Sequence, residues 1–390
     1  MPDGHRPIAD AEQGFRKALN IDPRNIPALM GLARLALLHG RSDEALALLQ
    51  RVQAVEPAHP EGLALTGVYW MTKGDFERAV AALEQAKASN PAFPMIHFNL
   101  GKAYAGAGRM QAAEGALREA IRLAPDHTDA WCELGNVQAN SGRLRDAIHS
   151  LLRSIRANRR NVRAYLAVGA LYERAGKTAL MLRLYRSGLR HNPDAIPLLE
   201  RIASLHAARF EFRQALAVAL QILKRRNGAG DYLRLGTYAV ALGDLETAEK
   251  AFHKALAKNS TSWEAHYNLA ELYMSARLMD KARQHYRSAL DAAPSAYEPL
   301  NGMGLFTLSV DHDPARAVEL LLHAVEAAPS RPEAHLNLAL AYAKLGSTTA
   351  ARESADAVLR LTKPGDALHV QADRLRATLL LQNRPLRPLS

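Results

Sequence analysis

Apolar positions recur along this chain with helical spacing, in pairs of blocks separated by a glycine. Residues 128–161, TDAWCELGNVQANSGRLRDAIHSLLRSIRANRRN, show the pattern most clearly. Trp131, Leu134 and Gly135 mark a first amphipathic helix, Ala147, Leu151 and Ser154 mark a second, and Ser141-Gly142 makes a sharp turn between them. The same skeleton appears 34 residues earlier, from Pro94, and 34 residues later, from Val162.

The register runs through most of the chain. First positions at Ile26, Pro60, Pro94, Thr128, Val162, Ile196, Ala229, Trp263, Tyr297 and Pro332 give ten repeats. Position 8 is Gly or Ala in all ten, among them Ala33, Gly67, Gly101, Gly135 and Gly169. A small residue lets the partner helix approach, and a larger one would overpack the contact by about 1–3 kcal/mol. Position 20 is Ala in nine of ten, with Met181 the exception. Position 15 is usually Gly (Gly40, Gly74, Gly108, Gly142, Gly176, Gly243, Gly346), which ends the first helix in a left-handed conformation. Proline near position 32 (Pro57, Pro91, Pro125, Pro193, Pro294, Pro329) prevents the second helix from continuing.

These residues resemble the tetratricopeptide repeat, whose motif is W-x2-L-G-x2-Y followed by G, A, F, A and P at fixed offsets. The resemblance covers nearly the whole chain. It implies an all-α, right-handed superhelical solenoid of about ten helix-turn-helix repeats. The 34-residue period and small-residue pattern distinguish it from HEAT and armadillo arrays, and ankyrin's T-P-L-H is absent.

The departures from the motif suggest the organisation. Residues 1–25 carry only the second half of a repeat (Ala11, Phe15, Ala18, Pro23), so this is an exposed leading helix or the edge of a longer protein, and it should promote self-association. Residues 26–228 hold repeats one to six and 229–365 hold repeats seven to ten. Repeat six has Phe210 where Gly is expected and is followed by Asn227-Gly228-Ala229-Gly230, the best place for a weak junction. Repeat nine has one extra residue at Asp311-His312-Asp313-Pro314, where Asp313 reads as an N-cap and Pro314 as the first helical residue. Residues 366–382 read as a capping helix and 383–390 as a frayed tail.

Charge changes the picture. The net charge is +11, and residues 143–226 contain 18 Lys or Arg against five acids, so the remainder is slightly acidic. The single Cys132 excludes an intrachain disulfide framework, and no apolar run approaches a membrane span. No signal peptide is evident, and the expected location is cytoplasmic.

No nucleotide-binding, metalloprotease or hydrolase motif is present, and the 15 histidines show no metal spacing with cysteine. His97, His266 and His335 fall at position 4 of their repeats, which suggests packing. The repeats consume residues 8–361, so no enzyme, metal or cofactor is expected and function should lie on the surface.

In the resembled family, positions 2, 5, 6, 9, 12 and 13 of each first helix line a concave, peptide-binding groove. The family's two-carboxylate clamp is not supported: Lys102 and Arg163 fit, but Phe98, Glu133 and Ala167 fill the other places. Asparagine at position 6 in HFNLGKAY, HYNLAELY and HLNLALAY (Asn99, Asn268, Asn337) is similar to the repeat region of O-linked N-acetylglucosamine transferases, where asparagines hold a peptide backbone. An amide suits this because it both donates and accepts. Arg163, Arg174 and Arg201 occupy groove positions, and discrimination between partners is expected to start at the edge of the basic zone, through the groove residues Lys102, Asn136 and Arg163. Arg153, Arg156 and Arg160, then Arg183, Arg186 and Arg190, form stripes on second helices, facing the convex side.

The leading reading is a non-catalytic protein–protein interaction scaffold, with an acidic partner at repeats four to six. Two alternatives stand beside it: the substrate-recognition part of a larger enzyme such as a glycosyltransferase, and nucleic-acid or anionic-membrane binding by the basic convex face. The latter lacks the interleaved aromatics of single-strand binders.

Overall fold

A computed structural model describes residues 6–382. The expected tail at 383–390 and the first five residues lie outside the described residues. Among those described, every regular element is helical. The chain forms two compact units, Met1–Leu198 and Leu199–Ser390, each taken by itself below.

The first unit opens with α1 (Arg6–Ile21). Helix pairs follow: α2 (Ile26–Leu38) with α3 (Ser42–Val55), α4 (Pro60–Thr72) with α5 (Phe76–Ser89), α6 (Pro94–Gly106) with α7 (Met110–Leu123), α8 (Thr128–Asn140) with α9 (Leu144–Ala157), and α10 (Val162–Arg174) with α11 (Thr178–His191). Each first helix packs on its own second helix, and α2, α4, α6 and α8 also pack on the first helix of the next repeat. α12 (Ile196–Ala208) contains the division between the units.

The second unit continues with α13 (Phe212–Leu223), α14 (Ala229–Ala241), α15 (Leu245–Lys258), α16 (Trp263–Ser275), α17 (Met279–Ala292) and α18 (Tyr297–Phe306). After a π-turn at Thr307–Asp311 come α19 (Pro314–Ala327), α20 (Pro332–Lys344) and α21 (Thr348–Leu361). Finally α22 (Ala367–Gln382) packs against α20 and α21, as expected of a capping helix.

The small-residue rule is visible in the packing. Ala45, Ala79, Ala113, Ala147, Ala215, Ala248, Ala282, Ala317 and Ala351 are all fully buried. A Cβ added to Gly135 would meet Leu151 Cγ at 2.5 Å, and one added to Gly169 would meet the Tyr185 hydroxyl at 1.9 Å. These glycines are therefore contact surfaces for the facing helix.

Position 15 is a backbone requirement. Gly40, Gly74, Gly108 and Gly142 have φ between 71° and 79°. The next residue's N–H reaches back to the helix, as in Arg41 to the Ala36 carbonyl (2.8 Å) and Arg143 to that of Gln138 (2.9 Å). This closure uses orphan carbonyls of the last turn. Repeats without glycine adopt the same conformation: Phe210 has φ 59° and Arg277 φ 58°. Each side chain so placed costs about 1–2 kcal/mol.

The extra residue of repeat nine is absorbed by the π-turn, which ends at left-handed His312 (φ 55°). Asp313 then accepts from Arg316 N (3.0 Å) with Pro314 opening α19, as the sequence predicts.

The position-4 rings do more than pack. His97 Nε2 donates to the Pro91 carbonyl (2.7 Å), Trp131 Nε1 to that of Pro125 (2.8 Å), His266 Nε2 to that of Ser260 (3.3 Å) and His335 Nε2 to that of Pro329 (3.0 Å). In each case a ring N–H holds the carbonyl six residues earlier, at the turn between repeats.

One buried carboxylate joins repeats three and four. Glu114 on α7 is gripped by Arg118 (2.7 Å) and by Arg143, and receives Gln138 Nε2 (3.4 Å), whose own Oε1 accepts from Ser150 (2.8 Å). Burial opposes its charge, but the Arg143 and Gln138 hydrogen bonds prevail and hold the carboxyl below its usual range.

Candidate protein-binding surfaces

A mostly apolar cavity of about 510 Å³ opens on the first-helix face of the first unit, between α2, α4 and α6. Its walls are Ala64, Leu65, Phe93, Pro94 and Met95, with Arg34, Glu61, Asn99 and His127 at polar points. Arg34 and Glu61 pair across α2 and α4. These side chains come largely from the positions expected to face the groove. Asn99 is buried, and its side-chain amide has no hydrogen-bond partner among the described residues.

The other asparagines of position 6 are engaged within the second unit. Asn268 Nδ2 donates to its own helix at the Glu264 carbonyl (2.7 Å), and Asn337 Nδ2 to Asn301 Oδ1 (3.0 Å). The structure thus brings Asn99 to a cavity and ties down one end of the other two.

The predicted groove cations also divide. Arg163 reaches back to Glu133 at 2.6 Å, and Asn136 Nδ2 donates to the same carboxylate at 3.3 Å. Glu133 is thereby neutralised and Arg163 spent. Lys102 lies 5.5 Å over the Phe98 ring, which in turn contacts His127 (4.9 Å). Arg174 is exposed in the first unit and Arg201 is exposed in the second. Neither has a carboxylate partner among the described residues.

On the second helices, Arg153, Arg156, Arg183, Arg186 and Arg190 are all exposed, whereas Arg160, expected to continue the α9 stripe, lies beyond the end of that helix at Ala157, in the turn to α10. Arg153 covers the Trp131 ring at 5.3 Å, and Arg190 donates to Ser187 Oγ at 3.2 Å. The basic zone ends differently. In the second unit Arg226 pairs with Asp231 (2.7 Å) and Glu200 (2.5 Å), while Asp231 Oδ2 accepts from Gly228 N (3.2 Å). The expected weak junction at 227–230 is spanned by this network.

Sequence reading missed a histidine cluster in the second unit, contributed by three helices. His266 (α16) and His285 (α17) place their Nδ1 atoms 2.9 Å apart. His253 (α15) bonds the Tyr273 hydroxyl (3.1 Å), which donates to Glu249 (2.6 Å). Because the Ser260 carbonyl can only accept, neutral His266 carries its proton on Nε2, and its Nδ1 accepts from His285. Burial, and the nearby His266, His253 and Lys281, push His285 down to about 4. Among the described residues no group of three or more metal-ligating side chains is assembled.

Stacked helix pairs with an open first-helix face define a repeat scaffold of the kind that binds proteins or peptides. Residues 68–128, 132–186, 233–297 and 311–367 match the family described as tetratricopeptide repeat, and residues 8–67 match a second profile of the same description. The chain belongs to the tetratricopeptide repeat family. A search of the curated proteins returned no match. Among solved structures, the C-terminal part of a repeat-containing protein of this family from Cytophaga hutchinsonii is similar, at 14% identity and TM-score 0.52, over 61% of this chain and 98% of that one. Yeast Tom70 matches at 13% identity and TM-score 0.49, over 97% and 93%. MamA matches at 25% identity and TM-score 0.38, over 41% and 94%. At these levels the likeness concerns the fold alone. Among the described residues no helix is long and apolar enough to cross a membrane.

Proposed function

We propose that this chain is a non-catalytic interaction scaffold whose first unit holds an extended polypeptide on its first-helix face. An apolar side chain of the partner enters the cavity between α2, α4 and α6, and a partner peptide group meets Asn99. The observation that carries this reading is the Asn99 side chain, which lines an apolar cavity and whose amide, open to that cavity, has no partner of its own among the described residues. A polar group set in an apolar wall fixes how a ligand lies, and a peptide group supplies both the donor and the acceptor that this amide lacks. Engagement of Asn268 and Asn337 elsewhere favours one asparagine contact over a continuous ladder. The neutralised Glu133–Arg163 pair favours recognition by shape and amide bonding at this face. A reducing, cytoplasmic setting suits the lone thiol: burial pushes Cys132 up to about 11, so it stays protonated and inert.

Quantitative affinity capture with the wild-type chain, Asn99→Ala and Leu65→Glu tests this. Leu65→Glu puts a charge into the apolar wall and should abolish capture of a groove partner. Asn99→Ala should weaken it about three- to tenfold, the value of one hydrogen bond. If both folded variants retained every partner of the wild type, the groove assignment would be wrong.

A further inference from the structure

Three successive second helices offer an internal comparison. The last turn of α7, α9 and α11 carries an arginine at the same repeat position: Arg122, Arg156 and Arg190. Arginine there suits the negative end of a helix dipole in all three. In α7 the arginine is also held by Glu119, three residues earlier, through Nε–Oε2 at 2.9 Å and Nη2–Oε1 at 2.6 Å. The carboxylate and guanidinium pair fork to fork.

The next two repeats keep the arginine and lose the acid. Glu119 is replaced by Arg153 in α9 and by Ser187 in α11. Arg153 turns onto Trp131 and Ser187 offers Arg190 only a hydroxyl, while Arg156 has no carboxylate partner among the described residues. Dipole complementarity explains the arginines but not the removal of their acids.

We propose that the exposed face of α9 and α11 binds an acidic polypeptide segment, whose carboxylates take the place beside Arg156 and Arg190 that Glu119 holds beside Arg122. Three observations select this occupant. The ligand that this scaffold already uses at the equivalent site is a carboxylate. Trp131, the ring at this face, is covered by Arg153 and so is not offered for base stacking. Leu152, Ile155 and Leu184, between the arginines, are turned partly inward, so the face presents little to insert into a lipid surface. The proposal does not rest on the groove reading, which concerns α2, α4 and α6.

Fluorescence anisotropy with a labelled poly-glutamate peptide tests it, alongside single- and double-stranded oligonucleotides and phosphatidylserine vesicles. The peptide should bind and should weaken with added salt. The double variant Arg153→Glu/Ser187→Glu rebuilds the α7 pairing on both helices and should lower peptide affinity about tenfold, with the circular dichroism melt unchanged. If that variant melts early, Arg156→Gln/Arg190→Gln serves the same purpose and should give the same loss. Leu65→Glu should leave peptide binding as it is. Undiminished peptide binding by the charge variants, tighter binding of oligonucleotide or vesicle than of peptide, or no binding of the peptide would each overturn the proposal.

Discussion

Acid should open repeat eight before the rest of the second unit, and His285 should be the reason. The His266–His285 pair holds one proton between facing Nδ1 atoms 2.9 Å apart. A proton added to His285 would place a charge in a half-buried site between α16 and α17, beside His266 and His253. The groups facing the pair are Glu249 and His253 on α15, Tyr273 on α16 and Lys281 on α17, and Lys281 adds to the repulsion. His285 lies at about 4 in the folded chain against 6.5 ordinarily, so the unfolded state binds protons more readily in that window. Stability from this group is complete above about pH 6.5, falls as pH drops toward about 4, and falls no further below it. At about 1.36 kcal/mol per unit, the full shift corresponds to about 3 kcal/mol, and partial solvent access reduces this to about 1–2. Hydrogen exchange across residues 263–292 is the suitable assay, because an array of repeats opens locally. Between about pH 7 and pH 4, opening of this segment, corrected for intrinsic exchange, should increase about tenfold in the wild type and much less in His285→Gln, which keeps a donor for His266 but cannot titrate. An identical pH dependence in the two proteins would refute the reasoning.

Three further outcomes are expected. Gly169→Ala should lower stability by about 1–3 kcal/mol by driving a Cβ into Tyr185, and Gly169→Ala/Tyr185→Leu should recover much of it, since repeat one already combines Ala33 with Leu49; thermal melts check both. Arg277→Gly should raise stability by about 1 kcal/mol, because glycine accepts φ 58° without strain; a melting temperature no higher than wild type would contradict this. Glu114→Gln should destabilise by about 1–3 kcal/mol at neutral pH, leaving Arg143 with only the longer contact to Asp146 at 3.9 Å. That difference should fade as pH falls below the ordinary carboxyl value of 4.5, since the depressed carboxyl contributes only while ionised; urea titrations across that range would reveal it.

Much of this architecture was legible residue by residue. Gly142 announced a left-handed helix end, Ala147 a buried contact, and Asp313-Pro314 the start of α19. Each depends on backbone sterics or on packing between neighbouring helices of a fixed repeat. The candidate surfaces were legible only in part. Position 6 pointed to Asn99, but nothing in HFNLGKAY, HYNLAELY and HLNLALAY distinguishes the amide beside a cavity from two that are already bonded. His97, His266 and His335 looked alike as packing residues, and they do share a bond to a turn carbonyl. Only His266 also meets a second histidine, because His285 projects from the facing helix.

Local sequence therefore determined where helices start, stop and touch, since those outcomes are decided within one repeat by φ, side-chain volume and capping. Tertiary structure decided which charges and amides remain available. Arg163 and Arg156 are indistinguishable as letters in a basic stretch, yet one is neutralised by Glu133 from the preceding repeat and the other has no carboxylate in reach. Such pairings join residues about one repeat apart in sequence, and they depend on rotamers and interhelical distances that no local pattern encodes.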